Sequence, residues 1–360
     1  MKTSAAILLS LIAGGATAAN TVSPRHYPIY EGNRGFEETA NFSESSRLEE
    51  PKPDKNGCSE GQQIAVPSYI HPKDNPTAWK QLIAYDRTKV SILVANVVNG
   101  PNVSINHDWS TTIHNASMAG KKVLGYVRTG YLGQNANNFT TLDGARDMES
   151  WVQQIQKDVD TWYFQYGESI GGIFFDEGLP ECGRDNEYAD LYARINNYTK
   201  RKYPTAFTAL NPGLAVPRCY ESTMDTLMTY ENSYDTYINK YVPNNWTATD
   251  PYKIWHVVYG VPEHEVKRVT DLACERGAGL VQVTDGIQPN PYNTLPKDGY
   301  MRKLMDSVAG GDPLIGSPPS SLRVRAENKK TKCLRSPSTG GASAASFSAF
   351  AAILAAVIAL

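Results

Sequence analysis

The sequence predicts an α/β fold in which eight parallel strands close into a (β/α)8 TIM barrel over residues 63–310. Short apolar runs rich in β-branched residues alternate there with longer amphipathic runs, as in repeated βα units. Eight short runs occur, and each is almost continuously apolar, as strands covered on both faces are. An open doubly wound sheet is the alternative, but no GxGxxG or GxxxxGK motif follows any run. We therefore expect one closed barrel domain.

The strand candidates are spaced along this whole segment. They cover residues 64–70, 90–97, 122–129, 171–177, 206–212, 226–231, 254–261 and 279–285. Helical patterns lie between most of them, and the best covers residues 148–167. Its apolar face recurs at helical spacing through Trp151, Ile155, Val159 and Trp162. Residues 187–203 and 263–277 show similar patterns, whereas the helix after the sixth strand is expected to be short.

The amino-terminal end has the pattern of a secretory signal peptide over residues 1–18. Lys2 precedes an apolar run that ends in the small residues Ala16-Thr17-Ala18. A short membrane helix is the alternative, but the run is too short to span about 30 Å of hydrocarbon. Residues 19–62 are polar and charged with little apolar periodicity, so we expect a flexible lead-in.

The carboxyl-terminal end predicts a cell-surface anchor. Residues 311–340 form a polar stretch that we interpret as a stalk, and residues 341–360 end in an apolar tail without a following charge. Small residues, a polar spacer and such a tail are the pattern of a GPI-attachment signal that is removed on maturation. A plain carboxyl-terminal anchor or an Ala-rich helix is the alternative. We therefore expect a secreted protein on the plasma membrane or in the cell wall.

Charge and sequons limit the partners. The formal net charge of −2 leaves no basic footprint for nucleic acid. Asn-x-Ser/Thr triplets, some of which arise by chance, agree with a glycosylating secretory route and predict N-glycosylation at Asn41, Asn102, Asn115, Asn138, Asn197 and Asn245.

The five cysteines are dispersed, and none forms a CxxC or Cys/His spacing, so we expect no metal site. In an oxidising compartment we expect one or two disulfides. Cys182 and Cys219 are the preferred pair because both follow predicted strands at the same end of the fold. The odd cysteine is left unassigned.

Active sites of such barrels lie at the carboxyl ends of the strands, so the polar residues that close each apolar run are the candidates. In strand order they are Tyr69, His71, Asn96, Asn99, Arg128, Thr129, Tyr131, Asp176, Glu177, Asn211, Glu231, Tyr259, Thr284 and Asp285. Tyrosines are dense at this end and can stack on pyranose rings, although packing is the commoner role of any single one. They are Tyr69, Tyr126, Tyr131, Tyr230, Tyr234, Tyr259 and Tyr292.

The strongest signal is the run GGIFFDEG, in which Asp176 and Glu177 directly follow an apolar strand. An unpaired charge buried there is costly, which favours a functional reason. Glu231 closes the sixth strand in the same way. A solvated loop start that merely tolerates acids is the alternative for each. Carboxylates across a barrel mouth can cleave a glycosidic bond, one as proton donor and the other as nucleophile or base.

Other hydrolytic motifs are missing. The histidines do not share an HExxH spacing, and no GxSxG elbow is present. His71, at a strand end, is a fair substrate contact. His256, inside the seventh strand, is expected to be a satisfied core histidine.

The runs VPSYIHP, VLGYVRTGYLGQ, GGIFFDEG and LMTYENSYDTY, in this order, resemble the spherulin 4 family of mostly fungal glycoside hydrolases over residues 65–310. The resemblance implies a (β/α)8 barrel that acts as an endo-enzyme on polymers of α-1,4-linked galactosamine and N-acetylgalactosamine. It implies three active-site acids, Asp176, Glu177 and Glu231, and as sugar contacts Tyr69, His71, Arg128 and Tyr131. Strand-end position adds Asn96, Asn211, Tyr259 and Asp285 to the predicted substrate contacts. Arg128 departs from the residue often found in the family motif and leaves the substrate preference open.

We expect Asp176 to be the nucleophile and Glu231 the acid/base of a retaining mechanism, with Glu177 orienting sugar hydroxyls or tuning its neighbour. The expected partners are a polysaccharide and a GPI lipid, and we expect a monomer without cofactor or metal. Two alternatives stay open: a non-catalytic carbohydrate-binding wall or spore-coat protein, and a hydrolase of another amino-sugar polymer. For the latter, the DxxDxDxE strand of chitinases is absent.

Overall fold

The structure is a computed structural model that describes residues 61–134 and 139–311. The eight predicted strands pair in parallel in chain order, and the last pairs with the first. They are β1 (Gln63–Ser68), β2 (Val90–Ala95), β3 (Lys122–Arg128), β4 (Gly172–Asp176), β5 (Phe207–Leu210), β6 (Thr226–Ser233), β7 (Ile254–Tyr259) and β8 (Leu280–Val283). The predicted closed (β/α)8 barrel is confirmed.

Seven α-helices accompany the strands within the described residues. They are α1 (Pro76–Ala84), α2 (His107–Met118), α3 (Met148–Tyr166), α4 (Glu187–Lys202), α5 (Tyr234–Asn239), α6 (Val266–Glu275) and α7 (Asp298–Ser307). Three of them, α3, α4 and α6, are the helices predicted from periodicity. The alternation is broken between β5 and β6, where a 3-10 turn, Arg218–Tyr220, stands in place of an α-helix. The helix after β6 is short, as expected.

Side chains of the strands alternate between the barrel interior and the layer under the helices. The interior cluster consists of Ala65, Ile92, Val94, Leu124, Tyr126, Phe174, Ala209, Met228, Trp255, Val257, Leu280 and Tyr292. The alternate strand residues pack against the helices in a second, larger cluster. Because successive side chains point to opposite faces, this alternation decides which strand-end residues continue into the barrel mouth.

Helix α3 packs on β3 through two tryptophans of its predicted apolar face. The Trp162 ring lies over Gly125, where a Cβ atom would come within 2.4 Å of the ring. The Trp162 indole N–H also donates to the Tyr126 carbonyl at 2.7 Å. Trp151 fills the equivalent space at Gly130, which has a φ of +57°. Only glycine permits both approaches, and they hold the end of β3 in place.

Several predicted features lie outside the described residues. They are the signal peptide, most of the lead-in, the stalk and tail from residue 312, Asn41, Asn138, Cys58 and Cys333. Of the other sequon asparagines, Asn102 is half-buried and three are exposed: Asn115, Asn197 and Asn245. Over residues 61–134 and 139–311, no helix has the length and apolar character needed to cross a bilayer.

Candidate active site

Asp176 ends β4 with its side chain turned into the barrel mouth, where it accepts three hydrogen bonds. The Tyr126 hydroxyl donates at 2.6 Å, the Asn211 Nδ2 at 2.8 Å and the Tyr69 hydroxyl at 3.3 Å. The donors come from three other strands or strand ends, so the barrel as a whole positions this carboxyl. An ionised carboxylate only accepts hydrogen bonds, and three donors fit that form.

Asn211 links Asp176 to the acid at the end of β6. Its Nδ2 donates at 2.8 Å to Asp176 Oδ1 and at 2.6 Å to Glu231 Oε2, so these two oxygens lie at most 5.4 Å apart, the sum of the two distances. The Asn211 side-chain oxygen is buried and has no hydrogen-bond partner. The amide therefore spaces the two carboxyls through its nitrogen alone.

Glu231 lies at the barrel mouth beside Asp176. Burial raises its pKa to about 7, and the nearby charge of Asp176 adds to this, whereas the Asn211 amide and the Tyr292 hydroxyl oppose the shift. The Tyr292 hydroxyl lies beside Glu231 without completing a hydrogen bond of ordinary length and angle. Glu231 is therefore able to hold a proton at neutral pH, as a general acid must.

A strand irregularity turns Glu231 inward. Met228 faces the barrel interior and Leu227 faces the helices. Regular alternation would then turn residue 231 outward, but the pairing of β6 with β7 shifts register between Met228 and Tyr230. The shift resets the alternation, as a β-bulge does, and brings the Glu231 carboxyl into contact with Asn211.

Glu177 follows Asp176 but reaches the mouth by a different backbone conformation. Its φ is +60°, in the left-handed region that non-glycine residues seldom adopt. Its carboxylate accepts from Arg128 Nε at 2.6 Å. Burial raises the pKa of Glu177 to about 7 despite the opposing Arg128 charge. Thr129 holds the turn because its hydroxyl donates to the carbonyls of Asp176 and Glu177 at 2.8 Å and 2.7 Å.

The segment after β3 makes a left-handed turn at the rim. Four successive residues have positive φ angles between 50° and 75°: Gly130, Tyr131, Leu132 and Gly133. The Tyr131 N–H donates to the Glu177 carbonyl at 2.9 Å. The Phe139 ring stacks on Tyr131 at 6.1 Å between centroids, and the Arg128 guanidinium lies 4.0 Å from the Phe139 centroid. Burial and the charges of all three acids raise the pKa of Tyr131, which places its ring near them.

The structure brings together most of the residues predicted for the site. Four of the predicted substrate contacts lie beside the three acids. Tyr69, Arg128 and Asn211 donate hydrogen bonds to them, and Tyr131 interacts with them electrostatically. Tyr259 is near the edge of this group; its hydroxyl donates to Asn232 at 3.4 Å, and it interacts electrostatically with Tyr292.

Three other residues predicted as substrate contacts interact with nearby residues and not with the acids. His71 accepts from the Lys73 N–H at 3.2 Å and packs edge-on against Trp109. The Asn96 side chain accepts from the Asn99 N–H at 2.7 Å and so braces its own loop. Asp285 is exposed, and the group whose pKa it influences is Tyr300 of α7. On β8 Leu280 faces inward and Val283 outward, so Asp285 continues the outward alternation.

Two tyrosines, Tyr126 and Tyr292, were expected at this end only as possible stacking surfaces, and the structure places their hydroxyls beside the acids instead. Tyr126 lies inside β3, two residues before Arg128, and strand alternation places both side chains on the inward face. The two-residue spacing from Arg128 therefore could have identified Tyr126 as a residue on the same inward face. Tyr292 lies in the irregular segment after β8, and no periodic pattern marks it.

Two further expectations concern the surroundings of the site. His256 is fully buried, its Nδ1 lies 2.9 Å from the Tyr237 hydroxyl, and burial lowers its pKa to about 3. It is the expected core histidine, but it is only half satisfied, because its Nε2 is buried without a hydrogen-bond partner. Cys182 and Cys219 form a disulfide with Cα atoms 6.1 Å apart, the pairing preferred from the sequence. It ties the segment after β4 to the 3-10 turn before β6. In the described ranges no group of three or more His, Cys, Asp and Glu side chains could hold a metal ion.

Comparisons with known proteins give a family and a fold. The chain is similar in structure to Sph3 of Aspergillus clavatus, solved in complex with GalNAc, with a TM-score of 0.54 and 19% identity over 70% of this chain and 98% of that chain. It is also similar to a class V chitinase from Pseudomonas fluorescens Pf-5, with a TM-score of 0.44 and 10% identity over 68% of this chain and 99% of that chain.

The structural similarity to Sph3 shows a shared barrel fold. Comparison with curated proteins finds no significant match. The model of the spherulation-specific family 4, Spherulin4, matches residues 63–308, which is the whole barrel. The chain therefore belongs to the spherulation-specific family 4.

Proposed function

We propose that this protein is a retaining endo-glycosidase that cleaves a polymer of α-1,4-linked galactosamine and N-acetylgalactosamine. The observation that carries the proposal is the Asn211 bridge, which holds oxygens of Asp176 and Glu231 within 5.4 Å of each other. Retaining glycosidases have carboxyl groups about 5–5.5 Å apart, whereas inverting enzymes need about 6.5–9.5 Å to admit a water.

The two acids have environments suited to different roles. Asp176 accepts three hydrogen bonds and is the nucleophile: its oxygen bonds to the anomeric carbon as the glycosidic C–O bond breaks. Glu231, whose pKa burial raises to about 7, gives its proton to the leaving oxygen. Glu231 then takes a proton from water as the water oxygen attacks the same carbon. Asp176 leaves, and the anomeric configuration is retained.

The substrate class is supported by chemistry and by similarity. Sph3, with the same fold, was solved in complex with GalNAc. Tyrosine rings at the mouth offer stacking surfaces for sugar rings. The Glu177–Arg128 pair is positioned to orient further hydroxyls. Acids around the groove also suit a partly deacetylated, cationic polymer. We further propose that the enzyme is secreted, GPI-anchored and monomeric.

The test is to incubate the full chain, expressed in a secretory host, with galactosaminogalactan and to follow released oligosaccharides and their anomeric configuration by NMR. Asp176→Asn and Glu231→Gln are the variants, and chitin is the control polymer. We expect oligosaccharides of retained configuration from the wild type alone. Cleavage by both variants at the wild-type rate would contradict the assignment. Polymer binding without cleavage by the wild type would indicate a carbohydrate-binding wall protein instead.

A further inference from the structure

Tyr292 is held in the barrel mouth by both its main chain and its ring. Its carbonyl accepts from the Tyr69 N–H at 3.1 Å, and its own N–H donates to Asn290 Oδ1 at 3.1 Å. Its ring lies edge-on to Tyr69 at 5.7 Å between centroids and belongs to the interior cluster. The side chain is 7% exposed. The ring position is therefore determined before any substrate arrives.

The Tyr292 hydroxyl is the unusual part of this arrangement. It is buried and makes no hydrogen bond of ordinary length and angle, although it is close enough to the Glu231 carboxyl for the two groups to shift each other's pKa. A buried polar group that makes no hydrogen bond is unfavourable and uncommon in folded proteins. A hydroxyl fixed in this position is explained if it gains its hydrogen bond during the reaction.

We propose that Tyr292 is a positioning residue whose hydroxyl donates a hydrogen bond to the Glu231 carboxylate once Glu231 has given its proton to the leaving oxygen. The inference rests on the proposed retaining mechanism. In that mechanism Glu231 begins neutral, beside an ionised Asp176. After the first step Asp176 is a neutral ester and Glu231 carries the charge. The donor is needed only in this second state.

Five groups act on Glu231 from the elements packed around it. Asp176 of β4 disfavours its ionisation, and Asn211 of the β5 end favours it. Tyr292 also favours ionisation. Tyr69 after β1 and Tyr131 after β3 also interact with Glu231, whose charge raises the pKa of both hydroxyls. When Asp176 becomes an ester, the opposing charge disappears while the two donors, Asn211 and Tyr292, remain.

The test is a pH titration of the Glu231 carboxyl by NMR of protein labelled with ¹³C at glutamate Cδ, using Glu231→Gln to assign the signal. The variant is Tyr292→Phe, which removes only the hydroxyl. The matched control is Tyr166→Phe, because Tyr166 of α3 is also 7% exposed and also has an unpaired buried hydroxyl, but lies outside the site.

We expect the Glu231 titration midpoint to rise by about half to one pH unit in Tyr292→Phe and to stay at the wild-type value in Tyr166→Phe. An unchanged midpoint in Tyr292→Phe, or an equal shift in Tyr166→Phe, would overturn the proposal.

On polymer substrate, Tyr292→Phe should lower kcat about tenfold and move the alkaline limb of kcat/KM upward. A lower kcat with an unmoved limb would also overturn the proposal. Because the titration needs no substrate, failure of the glycosidase proposal is read separately, as an absence of cleavage by the wild type.

Discussion

The ends of β4 and β8 look alike in the sequence and differ in the structure. Each is an apolar strand closed by an acid, Asp176 in one and Asp285 in the other. Asp176 lies on the inward alternation and accepts three hydrogen bonds from neighbouring strands. Asp285 lies on the outward alternation and is exposed. A position at a strand end is therefore not enough to place an acid in the site. The residue must also fall on the inward-facing positions of its strand, so that its side chain enters the barrel mouth.

The largest effect should come from the inward acid. We expect Asp176→Asn to lower kcat/KM on polymer on the order of 10⁴-fold, because an amide is a poor nucleophile and cannot form the ester. The variant should keep its fold, since Asn can still accept the hydrogen bonds of Tyr69 and Tyr126. Initial rates and a melting curve check both statements. A loss of kcat/KM below tenfold would contradict the inference that the acid at the end of β4 has a function that the acid at the end of β8 lacks.

The next effect should come from the amide that joins the inward acids. We expect Asn211→Ala to lower kcat/KM about 100-fold, because the spacing between Asp176 and Glu231 and the hydrogen bonds to both carboxyls are lost together. Steady-state kinetics on the same polymer measure this. Asn96→Ala, which removes an amide that braces only its own loop, is the control. Equal losses in the two variants would contradict a special role of the bridge.

Glu231 sharpens the comparison through pH. Burial raises its pKa to about 7 in the folded protein, against about 4.3 in an unfolded chain. Because the folded state holds the proton more tightly than the unfolded chain, protonation of Glu231 contributes to the free energy of folding. This contribution is fully present below pH 4.3 and is lost as the pH rises through about 7.

Glu231→Gln carries no such charge. We expect its free energy of unfolding to equal that of the wild type at pH 4 and to exceed it by about 1–3 kcal/mol at pH 8. Urea unfolding at the two pH values measures the difference. A gap that does not change with pH would show that the carboxyl is not buried as a neutral acid.

The smallest effect should come from the outward acid. We expect Asp285→Asn to change kcat/KM by less than about twofold and the free energy of unfolding by less than about 0.5 kcal/mol, because its side chain is exposed. Kinetics and urea unfolding check this beside Asp176→Asn. A large loss of activity would place Asp285 in a substrate groove that wraps over the rim of β8.

Much of the fold and part of the site followed from local pattern. All eight strands and the helices α3, α4 and α6 were predicted, because apolar runs and helical periodicity are properties of neighbouring residues. The acids were predicted because burying an unpaired charge at the end of an apolar strand is unfavourable, so an acid found there indicates a function. His71, Asn96 and Asp285 satisfied the same local rule, yet the structure gives them local partners or exposure.

By itself, the sequence determined the barrel, the strand ends and the three acids, since each depends on residue types at short spacing. Only the tertiary structure decided which of those side chains meet. The register shift in β6 turns Glu231 inward, the left-handed backbone at Glu177 directs it to Arg128, and the segment after β8 brings Tyr292 to Glu231. Each of these depends on pairing and packing between segments far apart in the chain, which no local pattern encodes.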